Sequence, residues 1–218
     1  MLKDKNQQIS EALMLNETLM KETHHRVKNN LQIISSLLNM QSQYLSDKKS
    51  KDIVADSQNR IRSMSLIHQH LYQGEKLTSI ESDTYFNKLI DSLASSYGID
   101  PSQVKMRIDI EKLLLDVDTA IPLGLILNEL ISNAFKYGVD KKTGEFSFEF
   151  KQNNQNELEV VIKDNGTGLP EDFDIKNTGS YGMKLVQILS QKLKADIRFV
   201  NDKGLSVRMK IKKYKIAA

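Results

Sequence analysis

The longest uninterrupted helical pattern in the chain sets the strongest limit on its fold. Residues 2–45 contain neither glycine nor proline, the two residues least compatible with a helix interior. Apolar side chains recur at helical spacing along this stretch, at Leu13, Met20, Val27, Leu31, Ile34, Leu38 and Leu45. The spacing predicts a long amphipathic helix whose apolar face is coiled-coil-like at first and broader later.

A second helical pattern follows a polar stretch. The sequence SDKKSKD at 46–52 breaks the periodicity and is typical of a turn. Beyond it, helical spacing resumes and ends at Gly74, a typical helix stop, through Ile53, Ile61, Met64, Ile67 and Leu71. Two long helices joined in this way form a hairpin with more apolar surface than it can cover by itself. We therefore expect a homodimer in which two hairpins form a four-helix bundle.

The remainder of the chain alternates between helical and strand patterns. Three helices are predicted, at 83–97, 118–137 and 182–193. Asp83 is placed to cap the first of them. Pro122 lies in the first turns of the second, where proline is tolerated.

Strands are predicted where apolar and polar residues alternate. The candidates are VKMRIDI at 104–110, EFSFEFK, ELEVVIKD, ADIRFV and LSVRMKI. The second and third are typical of an antiparallel hairpin, and residues 164–182 have the glycines and weak periodicity of a loop. A sheet covered by helices on one face is an α+β fold. We therefore predict two domains, a helical hairpin over 1–76 and an α/β sandwich over 81–218.

Composition and charge exclude several functional classes. The chain has no cysteine, which excludes disulfide bonds, thiolate metal sites and a cysteine nucleophile. Its net charge of +3 is too small to indicate nucleic-acid binding. No apolar run could span a bilayer, so we expect a cytoplasmic chain without membrane contact of its own, any anchor lying in a longer parent protein. His68 and His70 fall on different helical faces, which does not favour a metal site.

Two glycine-bearing motifs are candidates for ligand binding. In VVIKDNGTGLP a strand ends at Asp164, whose carboxylate can accept a hydrogen bond from an exocyclic amine. Gly166 and Gly168 let the backbone come close to a ligand, although this motif alone is equally compatible with an ordinary turn. In GSYGMKLV, Gly179 and Gly182 introduce a helix whose N-terminal N–H groups suit a phosphate chain.

The third motif, LNELISNAFKYG, places polar residues on an apolar helix. Glu129 and Asn133 are four residues apart and share a helical face, and Lys136 lies one turn further on. The amide oxygen of Asn133 is a suitable ligand for Mg²⁺, which keeps its waters and bridges phosphates. Lys136 is a candidate to offset nucleotide charge. The alternative is a polar flank on a half-exposed helix.

Together the three motifs resemble those of the GHKL ATP-binding superfamily over roughly residues 81–213. NELISNAFK is similar to its N box, DNGTG to its G1 box and GSYGMKLV to its G2 box. The resemblance implies that ATP and Mg²⁺ are cofactors, that Asp164 binds the adenine amine and that Asn133 binds the magnesium. It also implies that four glycines belong to the ATP lid: Gly166, Gly168, Gly179 and Gly182. The lid is short, and the last strand reads GLS where the superfamily often has Gly-Thr.

The helical hairpin carries a second resemblance. ETHHRVKNNLQIISSLL closely resembles the phosphoacceptor box of the histidine kinases with an H-R-x-K-N signature, the HWE and HWE-like group. RIRSMSLIHQHLY is similar to the second dimerisation helix of that group. The resemblance implies a two-component sensor kinase core, in which ATP phosphorylates a histidine that passes the phosphoryl group to an aspartate. The implied partner is the receiver domain of a response regulator.

Helical geometry distinguishes the two adjacent histidines. His24 lies three residues before Val27, on the apolar stripe. His25 is rotated by about 100° onto the polar face, in line with Lys28, Asn29, Gln32 and Ser36. Only a solvent-facing imidazole can meet a γ-phosphate, so His25 is the predicted nucleophile, in agreement with the H-R register of the family. Glu22, three residues earlier, is a candidate to orient or deprotonate it.

Two other functions remain open at the level of sequence. Glu129 lies where hydrolytic GHKL enzymes carry a water-activating carboxylate, so a GHKL-type ATPase is one alternative. A non-catalytic dimeric scaffold is the other. In the kinase interpretation Glu129 polarises the attacking group.

Overall fold

The structure is a computed structural model that describes residues 2–70, 79–170, 173–175, 180–212 and 214. Within the first of these ranges it describes the backbone throughout and only a subset of the side chains. The chain folds as two compact units, over residues 1–77 and 78–218. The predicted fold class, a long helical hairpin followed by an α/β sandwich, is confirmed. No helix in the described ranges has the length and apolar character needed to cross a membrane.

The first unit is a hairpin of two helices that pack against each other, α1 (Leu2–Tyr44) and α2 (Lys48–His70). The connection is shorter than the polar stretch at 46–52 predicts, because α2 already begins at Lys48. Asp47 explains the early start. Its Oδ1 accepts a hydrogen bond of 2.8 Å from the backbone N of Ser50, and its carbonyl accepts one of 3.2 Å from the backbone N of Lys51. This is an N-cap. The predicted end of α2 at Gly74 lies outside the described residues.

Helix α1 leaves an apolar row open in the single chain. The predicted stripe is half-buried at Val27, Leu31, Leu38 and Leu45, but its member Ile34 is exposed. A second row, which we call the open apolar row, is between 50% and 89% exposed and consists of Ile33, Leu37, Met40 and Tyr44. One hairpin therefore leaves a broad apolar surface uncovered.

The second unit is built on two sheets. The larger contains β2 (Lys105–Ile110), β4 (Glu145–Gln152), β5 (Leu158–Asp164), β6 (Ala195–Asn201) and β7 (Leu205–Ile211). Its strand order is β2-β4-β5-β7-β6, with β2 and β4 parallel and the other neighbours antiparallel. The predicted β4–β5 hairpin is present. The smaller sheet pairs two strands too short to show alternation in the sequence, β1 (Ser79–Glu81) and β3 (Leu114–Asp116).

Helices and aromatic side chains form the core on one face of the large sheet. The helices are α3 (Ser82–Tyr97), α4 (Val117–Asn133) and α5 (Tyr181–Lys192). Alternation along β4 turns Phe146, Phe148 and Phe150 inward, where all three are buried. Phe86 of α3 packs edge-on against the last two, with ring centroids 6.0 and 4.9 Å away. Full burial of each such side chain contributes about 1.5–3 kcal/mol, which fixes the helices on the sheet.

The starts of α3 and α4 show how local hydrogen bonds set helix boundaries. The prediction that Asp83 caps α3 is wrong. Asp83 lies in the first turn of the helix, and the N-cap residue is Glu81. The start is displaced because the Ser82 hydroxyl is tied to the 111–113 segment, donating to the Glu111 carbonyl at 2.7 Å and accepting from the Leu113 N at 2.9 Å. Pro122 lies inside α4, near its start, as predicted.

Candidate functional site

A π-helical turn at the end of α4 brings two of the sequence motifs together. The predicted helix over 118–137 widens after Asn133 into a π-turn over Ala134–Gly138, and the Val139 N donates to the Ala134 carbonyl at 2.8 Å. Such turns are frequent at functional sites. The turn places Gly138 against Asp164: a Cβ at position 138 would lie 2.4 Å from the Cγ of that carboxylate.

Asp164 is buried at the end of β5 and held there by backbone donors. The residue is 5% exposed. Its Oδ1 accepts hydrogen bonds from the backbone N of Gly166 at 2.9 Å and from that of Leu205 at 3.2 Å. A carboxylate has two oxygens with further acceptor capacity, so Oδ2 can accept from an additional donor. This arrangement suits an exocyclic amine.

Asn201 anchors the segment that follows this carboxylate. Its Oδ1 accepts from the Leu169 N at 2.9 Å and its Nδ2 donates to the Leu169 carbonyl at 2.8 Å, which imitates the pairing of a neighbouring strand. Gly168 has a φ of 74°, and a Cβ there would lie 2.5 Å from the Asn201 Oδ1. Both features explain the second glycine of DNGTG. Sequence reasoning missed Asn201, since an asparagine at a strand end has no distinctive pattern.

Asn133 lies against the start of α5 and thereby joins the third motif to the second. Its Nδ2 donates to the Met183 Sδ at 3.5 Å, which orients the amide. Gly182 is buried in the first turn of α5, where the N-terminal end of the helix dipole favours an anion. Gly179 lies outside the described residues.

Glu129 is buried one turn before Asn133 on α4. The residue is 5% exposed, and its Oε1 accepts a long hydrogen bond of 3.4 Å from the Nδ2 of the buried Asn128. Burying a carboxylate is costly unless it is hydrogen-bonded or serves a ligand. Lys136, in the π-turn, is half-buried with its Nζ 5.4 Å from the ring centroid of the exposed Tyr137.

The phosphoacceptor candidates belong to the first unit. His24 and His25 lie within α1, while the positions of their side chains, like those of His68 and His70, lie outside the described residues. The residues that continue the row of His25 are exposed: Asn29, Gln32 and Ser36. Of those that continue the row of His24, Val27, Leu31 and Leu38 are half-buried, while Ile34 is exposed.

Glu22 forms an ion pair on the surface of α1. Its Oε1 accepts from the Arg26 Nε at 2.8 Å, and both side chains are mostly exposed. An exposed pair four residues apart in a helix contributes about 0.3–0.5 kcal/mol. Glu22 can therefore exchange Arg26 for another partner at small cost.

Two family models match the chain. A histidine kinase model matches residues 22–97, and the model of the histidine kinase-, DNA gyrase B- and HSP90-like ATPases matches residues 118–215. The chain belongs to the histidine kinases and carries both parts of their core, which confirms the two resemblances. These matches do not favour an ATPase alone or a non-catalytic scaffold.

Among curated proteins the chain is similar to sensor kinases. It is 30% identical over 183 residues to the sensor histidine kinase PdtaS of Mycobacterium tuberculosis, covering 82% of this chain and 35% of that protein. It is 27% identical over 180 residues to the blue-light-activated histidine kinase 2 of Erythrobacter litoralis, covering 81% and 51%. The chain thus spans between a third and a half of the length of these relatives.

Solved structures agree with the fold. The histidine kinase domain of a blue-light activated histidine kinase from Erythrobacter litoralis superposes with a TM-score of 0.66 at 20% identity, over 83% of this chain and 95% of that one. A longer structure of that kinase gives 0.64 at 24% identity, over 86% and 59%. Both are similar in architecture to the hairpin and sandwich described above.

Proposed function

We propose that the chain is the catalytic core of a two-component sensor kinase, which phosphorylates its own His25 from ATP. The phosphoryl group then passes to an aspartate of a response-regulator receiver domain. The observation that carries the proposal is the convergence of three motifs in the second unit. Gly138 brings the end of α4 to Asp164, and Asn133 brings it to the start of α5.

The donor and acceptor groups at this convergence fit magnesium-bound ATP. The Asp164 carboxylate accepts from the adenine amine, and the Asn133 amide oxygen is a hard ligand for Mg²⁺. Gly182 opens the N-terminus of α5 to phosphate oxygens, and Lys136 supplies positive charge. Gly166, Gly168 and Gly179 belong to the lid. When bound, the nucleotide would supply the γ-phosphoryl group and the metal ion would neutralise its charge.

His25 accepts that phosphoryl group on a ring nitrogen. A nitrogen–phosphorus bond forms, the bond to the ADP oxygen breaks, and the imidazole loses its ring proton. Its exposed row on α1 supports this role, because a buried imidazole cannot reach a nucleotide. Glu22 and Glu129 are the two carboxylates proposed to orient the ring or take the proton.

The decisive experiment is incubation of the chain with γ-labelled ATP and Mg²⁺. We expect covalent label that is lost in acid and retained in alkali, as for a phosphoramidate, and that moves to an added receiver domain. Label found only as free phosphate would indicate an ATPase. An absence of nucleotide binding would indicate a scaffold. We propose a cytoplasmic location for this core, because its proposed reaction consumes ATP.

We propose further that the chain is a homodimer through α1 and α2, with the open apolar row covered by a second copy. Leu37→Glu places a charge in this row, so the variant is expected to be monomeric where the parent is dimeric. Ser36→Glu, on the polar face of the same turn, is the matched control and should remain dimeric. Light scattering at micromolar concentration measures both masses, and a monomeric parent contradicts the proposal.

A further inference from the structure

Gly138 fills a position in which any side chain would meet the Asp164 carboxylate. A Cβ at this position would lie 2.4 Å from the Asp164 Cγ and 2.6 Å from each carboxylate oxygen. All three distances are well below the 3.4 Å at which ordinary van der Waals contact begins. Gly138 therefore covers one side of the carboxylate with its Cα alone.

Space, rather than backbone conformation, requires glycine here. Positive φ angles are found at Gly98, Gly168 and Gly204 but not at Gly138, so an alanine could adopt the backbone of the π-turn without the strain that a left-handed residue imposes. The cost of a methyl group at position 138 is thus its collision with Asp164.

The carboxylate is the group that must give way to such a methyl group. Gly166 packs on the backbone of the π-turn, where its own Cβ would lie 2.5 Å from the Gly138 Cα and carbonyl oxygen. A methyl group on Gly166 would therefore have to displace main chain. One on Gly138 meets a side chain, which can rotate away once its Oδ1 releases the N–H groups of Gly166 and Leu205.

We propose that Gly138 is a positioning residue for nucleobase recognition. Because Gly138 has no side chain, the Asp164 carboxylate can lie between the π-turn and the backbone N–H groups of Gly166 and Leu205. In this position its Oδ2 faces the 6-amino group of the base. Gly138 does not touch the base itself. The inference rests on the proposed role of Asp164 as the adenine acceptor.

The test compares two nucleotides that differ only in the 6-amino group, ATP and purine riboside triphosphate, by calorimetry on the full chain with Mg²⁺. We expect the parent to prefer ATP by about tenfold or more, the effect of a hydrogen bond to a charged acceptor. Gly138→Ala should reduce this preference to about one, with the affinity for purine riboside triphosphate changed less than about threefold. If Gly138 served folding alone, Gly138→Ala would lower the affinity for both nucleotides equally.

Matched variants separate this inference from the function on which it rests. Gly144→Ala introduces the same methyl group in the loop after the π-turn. Its nearest neighbours would be the main chain of Asp140 and the side chain of Val139 rather than the carboxylate, so this variant controls for a steric collision as such and should keep the preference for ATP. A parent without any preference would overturn the adenine role of Asp164. A parent with the preference and a Gly138→Ala variant that retains it would overturn the role of Gly138.

A double variant covers the case in which Gly138→Ala does not fold. In Asp164→Ala the carboxylate that blocks the methyl group is gone, so adding Gly138→Ala to it should cost no thermal stability. The thermal stability lost through Gly138→Ala in the parent, minus the stability lost through it in Asp164→Ala, is the coupling between the two residues. A double variant clearly less stable than Asp164→Ala alone would show that the methyl group collides with something other than the carboxylate, which contradicts the proposal.

Discussion

The variant His25→Gln is expected to lose all covalent label from γ-labelled ATP and to bind the nucleotide with the affinity of the parent. Glutamine keeps a polar side chain on the exposed face of α1 but has no nucleophilic nitrogen. The groups proposed to hold the nucleotide, Asp164 and Asn133 among them, lie in the other unit of the chain and are unchanged. The measurements are the label retained on the protein and the dissociation constant by calorimetry.

His24→Gln is the matched control, one residue away on the same helix. It should keep the label, because His24 continues the half-buried row of Val27 and Leu31. Loss of packing there is expected to reduce the free energy of unfolding by about 1 kcal/mol, a common value for a single substitution. Acid-labile label that persists in the His25 variant and disappears in the His24 variant would reverse the assignment.

The features predicted correctly from the sequence are those that have long periodic patterns of apolar residues. The α1 stripe repeats over many turns, and the alternation in β4 and β5 extends over the whole of both strands. The two short strands β1 and β3 have three residues each, too few for a period of two to be recognised. Ile34 has the spacing of a covered residue, but a single hairpin does not bury it, which the sequence does not reveal.

The residues of the candidate site also fall into two groups, those that a sequence motif predicts and those that only tertiary contacts reveal. Asp164, Asn133 and the glycines belong to motifs with a chemical rationale, and the structure brings the described ones together. The π-turn was not predicted, and its Gly138 packs against Asp164 and Gly166, residues distant in sequence. Asn201 was missed for a similar reason, since its partner Leu169 lies on a segment with no periodicity. Contacts that depend on tertiary packing leave no local pattern.

Glu129 offers the second large effect, because its proposed role is in the chemical step rather than in binding. A positioned general base contributes about 10²–10⁴-fold to a rate. Glutamine is nearly the same size as glutamate and keeps an oxygen that can accept the hydrogen bond from Asn128, so the buried site stays packed. It cannot take a proton. Glu129→Gln is therefore expected to form phosphohistidine more slowly by about two orders of magnitude or more.

The same variant is expected to bind magnesium-bound ATP about as well as the parent, since removing a carboxylate near a triphosphate relieves like-charge repulsion. Asn133→Ala, one helical turn away, provides the contrast and should lose magnesium-dependent binding together with labelling. The paired measurements are nucleotide affinity by calorimetry and the initial rate of phosphohistidine formation, with free phosphate followed in parallel. If Glu129→Gln slows both products, the carboxylate serves His25 and water alike. An unchanged rate with weakened binding would make Glu129 a binding or structural residue, because a base that acts only in the chemical step cannot alter affinity alone.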